Sequence, residues 1–432
     1  PGWGGSHVTA KYIEKPKELP CNAINKTFLL WIDPLYFLPP TIHCVINLLK
    51  LEYNPINRTT NSQKFCEIYS PGFGTVDTIE YLTACKIKIG KYSFKQFFIR
   101  KIKEIIFQRA HFMIISDFQT KPFRSVGTIT FTIYFAAIVK ELTEKHNYKV
   151  NDNLRGAPYD FRKAPNEMKN YFFNVKNLIE KMHEKARGKS VVLIGHSLGN
   201  LLILELMNQM TQNWKDKYIR TFISISAPFA GSMIPVQAIL SGSRNLSTFP
   251  CLQHFIALGY SGSAFFLNDL KLRKMESTWP SFYYMLPKSK MWPDGPIVLT
   301  KKRNFTANDL RELFVLSGIK YSPNHFDDQK KYLSIQPPPK VETHCIISTG
   351  EKTPLTLNYL GKQFPESQPE NTFGNGDGTV PLHSLMICPL WKKKQSKTVT
   401  LNVINGVSHS KILRNKETIR VLRNIMRKIN HN

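Results

Sequence analysis

A mixed α/β fold, with a mostly parallel sheet flanked by helices, is predicted by three observations. Short β-branched apolar runs alternate with helical patterns through the middle of the chain, as βαβ units require. One run, Val191-Val192-Leu193-Ile194, breaks into Gly195-His196-Ser197-Leu198-Gly199 and then into a helical pattern carrying Leu201, Leu202, Leu204 and Leu206. Apolar strand patterns return late, at 343–348 and 398–404, after a long irregular stretch. With 432 residues, 42% of them hydrophobic, and no internal repeat, one elaborated domain is expected rather than several small ones.

Taken in order, the chain opens at Pro1-Gly2-Trp3-Gly4-Gly5 without a Met and reads as lacking its true N-terminus. From Cys21 to Cys44 it is unusually apolar and aromatic, with Phe28-Leu29-Leu30-Trp31-Ile32 and Leu35-Tyr36-Phe37-Leu38-Pro39-Pro40. Such a cluster fits a loop whose rings sit at a bilayer interface. The same residues would equally build a core hairpin.

Residues 86–124 carry ten Lys/Arg against Glu104 and Asp117, and Phe94, Phe97, Phe98, Ile102, Ile105 and Ile106 recur at helical spacing. A basic amphipathic helix is expected there. Residues 131–145 and 171–185 read as helices, separated by the Gly/Pro-punctuated loop Leu154-Arg155-Gly156-Ala157-Pro158-Tyr159-Asp160-Phe161-Arg162. The run 191–194 reads as a fully buried strand and 221–226 as the next one. Between 229 and 339 the alternation is lost, and a cap over the sheet is the economical reading.

The excess of 59 Lys+Arg over 31 Asp+Glu, a formal +28, suits an anionic surface. No base-reading or stacking motif accompanies it, which argues against a nucleic-acid partner. No apolar run reaches eighteen residues, so a transmembrane helix is not expected. The seven cysteines show no Cys-x-x-Cys spacing, so a metal site is not expected either. Sequons start at Asn25, Asn57, Asn245 and Asn304, which with the cysteines fits an exported or lysosomal chain.

Gly-x-Ser-x-Gly between a strand and a helix is the pattern of a nucleophile elbow, in which the glycines let strand and helix approach around an exposed serine. The bland alternative is an ordinary βα turn. Leu198 would offer its backbone N–H to an oxyanion at the helix N-terminus. An activated serine needs a base and a carboxylate that orients it, and in this topology they follow in the order Ser, Asp/Glu, His. Asp377 lies in Gly374-Asn375-Gly376-Asp377-Gly378-Thr379, after the 343–348 strand, and His409 in Gly406-Val407-Ser408-His409-Ser410, after the 398–404 strand. His383 is the competing base, but it shares the acid's own loop.

These residues resemble the lecithin:cholesterol acyltransferase and lysosomal phospholipase A2 group of α/β-hydrolases. The resemblance is carried by the opening Pro-Gly turn, Cys21…Trp31…Cys44, Pro71-Gly72-Phe73-Gly74, the 156–162 loop, the elbow, Trp214-Lys215-Asp216-Lys217-Tyr218-Ile219-Arg220, Gly376-Asp377-Gly378-Thr379-Val380 and the His409 loop. The 155–167 and 214–220 stretches look closer to the lysosomal phospholipase. The resemblance implies an α/β-hydrolase core at 1–20, 67–228 and 340–432, interrupted by the basic stretch, with a membrane-binding subdomain at 21–66 and a cap or lid at 229–339. It gives Ser197, Asp377 and His409 the triad roles and the backbone N–H groups of Trp3 and Leu198 the oxyanion hole. Trp31, Leu29, Leu30, Leu35 and Phe37 become membrane contacts, and Cys21–Cys44 and Cys345–Cys388 the disulfides. Trp3 stands where the family usually has Asp or Cys, and Tyr81-Leu82 and Ser125-Val126-Gly127 lie close together in the family pattern.

The function so implied is an interfacial serine acyl hydrolase and O-acyltransferase of glycerophospholipids, needing no cofactor or metal. Its expected partners are a phospholipid membrane or lipoprotein surface, preferably anionic, and a lipid hydroxyl acceptor, approached by a monomer that is lysosomal or secreted. The rival is a catalytically inactive lipid-binding homologue of the same fold.

Overall fold

A computed structural model describes residues 1–16, 21–33, 36, 41–82, 134–243, 269–334 and 336–431. Among these the strands are β1 (Val8–Tyr12), β2 (Thr27–Trp31), β3 (Glu52–Asn54), β4 (Thr59–Asn61), β5 (Cys66–Tyr69), β6 (Val191–His196), β7 (Ile219–Ile225), β8 (Val298–Leu299), β9 (Asn304–Phe305), β10 (Thr343–Thr349), β11 (Glu351–Asn358), β12 (Glu370–Gly376) and β13 (Val399–Asn405). The core is built on the parallel sheet β13-β10-β7-β6, flanked by helices. Its register sets Thr343 beside both Val399 and Phe222, and Phe222 beside Leu193. β10 has a neighbour on each side and buries every residue from Thr343 to Ser348, the near-continuous pattern of an interior parallel strand.

β6 corrects one expectation. Among the described residues it is bonded on one side only, to β7, so Val191–Ile194 are half-buried and only Gly195 and His196 are fully covered. The helices Lys169–Lys185 and Leu198–Gln209 pack beside it. On the opposite flank, the helix Lys416–His431 packs against Ala136–His146. Asn415 starts it by accepting the N–H groups of Glu417 and Thr418 on its Oδ1, which satisfies donors that have no carbonyl within the helix. Leu422, Ile425 and Met426 then face inward at helical spacing.

Trp31 and Leu30 are core, contrary to their membrane-facing expectation. β2 pairs antiparallel with β1, which pairs with β5. Trp31 and Leu30 are fully buried, and the Trp31 indole N–H donates to the Gly4 carbonyl at 2.9 Å. Apolar composition does not say what covers a ring; here Trp3 and Phe161 do, at 6.2 and 5.0 Å between centroids. Leu29 is half-buried, while Leu35 and Phe37 lie outside the described residues.

Both expected disulfides, Cys21–Cys44 and Cys345–Cys388, are formed, and Cys66 is a buried free thiol. The sequon residues Asn25, Asn57 and Asn304 are exposed; Asn245, Cys85, Cys251 and the basic stretch 86–124 lie outside the described residues. Within 229–339, β8 pairs with β11, so this part of the chain shares a sheet with the segment that follows it.

The 154–162 loop has a tying function. The fully buried Arg162 guanidinium donates to both carboxylate oxygens of Asp160, at 2.9 and 2.7 Å, and reaches the carbonyls of Leu48 and Leu49 and the hydroxyl of Ser62. It thereby fastens the helix Ile42–Leu49 to this loop.

Candidate active site

The elbow is formed where β6 meets the helix Leu198–Gln209. Ser197 sits at φ 53°, ψ −130°, a sparsely populated conformation that costs on the order of 1–3 kcal/mol and must be held from outside. Two clamps hold it. Its N–H donates to the Ile225 carbonyl at 3.0 Å, and the Asn200 amide donates to the carbonyls of Ser197 and Ile225 at 3.2 and 2.9 Å. Both motif glycines are spatial requirements: a Cβ at Gly195 would lie 2.4 Å from Asn200 Oδ1, and one at Gly199 would lie 2.2 Å from the Pro1 carbonyl oxygen. Leu198 opens the helix, so its N–H is among those with no carbonyl inside the helix to accept it.

Asp377 follows β12 and is fully buried. Its Oδ1 accepts the N–H groups of Thr379 and Val380 at 3.0 and 2.7 Å, a tight turn that Gly376 permits because a Cβ there would lie 2.4 Å from the Val380 carbonyl. His409 follows β13, and its N–H donates to the Asp377 carbonyl at 2.8 Å. Its ring bridges the other two residues, with Nδ1 2.7 Å from Asp377 Oδ2 and Nε2 2.8 Å from Ser197 Oγ.

This geometry fixes the tautomer. A carboxylate only accepts, so Nδ1 carries the proton and Nε2 offers its lone pair to the serine hydroxyl. Such an array can remove the Ser197 proton as the oxygen attacks a carbonyl and stabilise the imidazolium that results. The rival His383 is placed elsewhere: its ring stands edge-on to Trp292 at 4.3 Å, its buried Nε2 has no hydrogen-bond partner, and burial pushes its pKa down to about 4.

On the other side of Ser197 lies the turn Gly2–Gly5, closed by a Gly5 N–H to Gly2 C=O bond of 3.0 Å, with Gly4 at φ 67°. A Cβ on Gly2 would lie 2.8 Å from Ser197 Cβ, which shows how closely this turn, and with it Trp3, approaches Ser197. The Trp3 indole packs among Trp31, Phe161, Trp279 and Phe282, with centroids 5.1 to 6.2 Å away. Among the described residues no group of three or more His, Cys, Asp or Glu stands where it could hold a metal ion.

The sequence reading missed three residues here. Asn200 and His196 lie in or beside the elbow motif but carry no signal of their own, since any residue fits the variable positions. Tyr134, whose hydroxyl lies 2.6 Å from His196 Nδ1, belongs to no motif at all.

The family model described as "Lecithin:cholesterol acyltransferase" matches residues 118–331 and 320–416. The human "Lysosomal phospholipase A and acyltransferase" is 30% identical over 430 residues, 99% of this chain and 89% of that protein. The rat protein of the same description matches equally, at 30% identity over 99% and 89%. The chicken "Phosphatidylcholine-sterol acyltransferase" is 29% identical over 414 residues, 95% of this chain and 84% of that one.

Proposed function

This chain belongs to the lecithin:cholesterol acyltransferase family, and from that premise we propose that it is an interfacial serine acyl hydrolase and O-acyltransferase acting on glycerophospholipids. Ser197 is the nucleophile, His409 the base and Asp377 the residue that orients it. Ser197 Oγ attacks the ester carbonyl while its proton passes to His409 Nε2, and the backbone N–H groups of Trp3 and Leu198 receive the oxyanion. The tetrahedral species collapses as His409 returns the proton to the departing lysophospholipid oxygen, leaving the acyl group on Ser197. Water or a lipid hydroxyl then attacks that acyl-enzyme, His409 takes the incoming proton, and Ser197 is regenerated.

One observation carries this reading: the unbroken hydrogen-bonded run from Ser197 through His409 to Asp377, with the acid fully buried and the serine at a strained turn. An inactive lipid-binding homologue would have no need of that run. Residues 21–66 form the part that meets lipid in this proposal, through Leu29, Leu35 and Phe37 in place of the buried Trp31 and Leu30, and 229–339 form the cap. The +28 charge draws the monomeric enzyme to anionic surfaces. Its relatives' descriptions and the exposed sequons support a lysosomal or secreted site of action; among the described residues no helix is long and apolar enough to cross a membrane.

The test is fluorophosphonate labelling followed by acyl transfer on mixed liposomes offering water, a long-chain amino alcohol amide and a sterol as acceptors. Labelling that is lost in Ser197→Ala, together with lysophospholipid release, is the expected result. An unlabelled, folded wild-type protein would leave only the lipid-binding role.

A further inference from the structure

Behind the triad runs a second chain of hydrogen bonds that the mechanism above does not use. The Gly2 N–H donates to the Tyr134 hydroxyl at 2.8 Å, that hydroxyl lies 2.6 Å from His196 Nδ1, and His196 Nε2 lies 3.0 Å from the backbone carbonyl oxygen of His409. The direction of each bond is fixed. A carbonyl only accepts, so His196 Nε2 bears the proton; a neutral imidazole then accepts at Nδ1, and Tyr134 donates to it while accepting from Gly2. Burial, with the His409 ring 4.8 Å away, holds His196 neutral by depressing its pKa well below the ordinary value.

The two ends of this chain are the informative part. One end is Gly2, the residue before the proposed oxyanion donor Trp3, within the closed turn Gly2–Gly5. The other is the main chain of the base itself. The turn is shaped around Tyr134: a Cβ at Gly2 would lie 2.8 Å from its hydroxyl, and one at Gly5 would lie 2.6 Å from its ring. Resting on the triad reading of Ser197, we propose that Tyr134 and His196 are positioning residues that lock the oxyanion turn to the His409 loop, so that donor and base keep one spacing across the nucleophile. Neither touches substrate. Each acts through the backbone it holds.

A merely structural pair would do no more than satisfy a buried N–H and a buried C=O, and its loss would appear as lost stability with the rates of the folded protein unchanged. The experiment therefore compares Tyr134→Phe, His196→Phe and His196→Gln in the 432-residue chain. Three quantities are read: the second-order rate of fluorophosphonate labelling at Ser197, kcat and KM on p-nitrophenyl butyrate, and the melting temperature. Losing an oxyanion donor outright costs about 10²–10³-fold, so a donor left in place but unlocked should cost less. Tyr134→Phe is expected to slow labelling and kcat about 10- to 100-fold with KM unchanged within about threefold. His196→Gln should return to within about fivefold of wild type, because a carboxamide can both donate to the His409 carbonyl and accept from Tyr134. His196→Phe should be slow, and adding Tyr134→Phe to it should cost little more, as for residues acting as a unit.

A folded Tyr134→Phe protein labelled at the wild-type rate, or a loss confined to KM, would overturn the proposal. If His196→Phe does not fold, a slow Tyr134→Phe beside an active His196→Gln still sustains it, and an equally slow His196→Gln defeats it. A folded wild-type protein that resists labelling would overturn the nucleophile reading and this proposal with it, whereas normal wild-type labelling with an unaffected Tyr134→Phe overturns this proposal alone.

Discussion

Ser197 stands between two unlike walls. On one side His409 meets it at 2.8 Å and is itself held by Asp377 at 2.7 Å, each hydrogen bond dependent on one atom at one angle. On the other side Trp3, Trp31, Phe161, Trp279 and Phe282 form a block of rings with centroids 5.0 to 6.2 Å apart. Two indoles in that block also anchor to main chain, Trp31 on the Gly4 carbonyl and Trp279 on the Leu49 carbonyl at 2.8 Å. The first wall works by orientation and the second by volume. Damage to the first should therefore be seen in rate at constant stability, and damage to the second in stability at nearly constant chemistry.

The largest expected effect breaks the polar wall. Ser197→Ala, Asp377→Asn and His409→Ala should each lower turnover by on the order of 10⁴-fold or more, with melting temperatures close to wild type. Near-normal turnover in His409→Ala, alongside loss in His383→Ala, would exchange the two histidines' roles. Next comes the aromatic wall: Trp31→Ala should cost about 3–5 kcal/mol in urea unfolding. It should reduce soluble-ester and vesicle hydrolysis in step, whereas a loss seen on vesicles alone would return Trp31 to the membrane surface.

Trp3 stands in the aromatic wall while its backbone N–H is the proposed oxyanion donor, so it sharpens the comparison. Trp3→Ala removes the ring but keeps the backbone N–H; labelling of Ser197 should fall by less than about tenfold while stability falls by about 2 kcal/mol. A labelling loss as large as that of His409→Ala would mean that the indole itself contacts the reacting atoms.

The smallest effect is a pH dependence away from both walls. Burial lowers the pKa of His325 to about 3 and of His383 to about 4. The unfolded chain, with ordinary imidazoles near 6.5, binds more protons between those values and 6.5. Their contribution to stability is therefore present above about 6.5 and is lost as pH falls toward 4. His383→Phe should flatten the acid side of a melting-temperature profile, and an unchanged slope would show that other groups set it.

Legibility in the sequence divides along the same line. The elbow, the Asp377 turn and the His409 loop could be read because each demands a particular backbone: glycines where a Cβ would collide at 2.2 to 2.4 Å, and an acid and a base each following a strand. Trp31 and Leu30 were misplaced because a run of apolar residues looks the same against lipid as against Phe161. Tyr134 escaped for a second reason: its role is one hydroxyl aimed at His196, and neither periodicity nor spacing encodes where a hydroxyl points.

Ser197 and the two residues of the polar wall are far apart in the order of synthesis. Ser197 and His409, its proposed base, are separated by 212 residues, and His409 follows β13, which pairs with β10. On the proposed roles, a chain stopped short of residue 409 would be inert however well its earlier strands had packed, so the capacity to cut an ester would arrive with β13 rather than with the elbow.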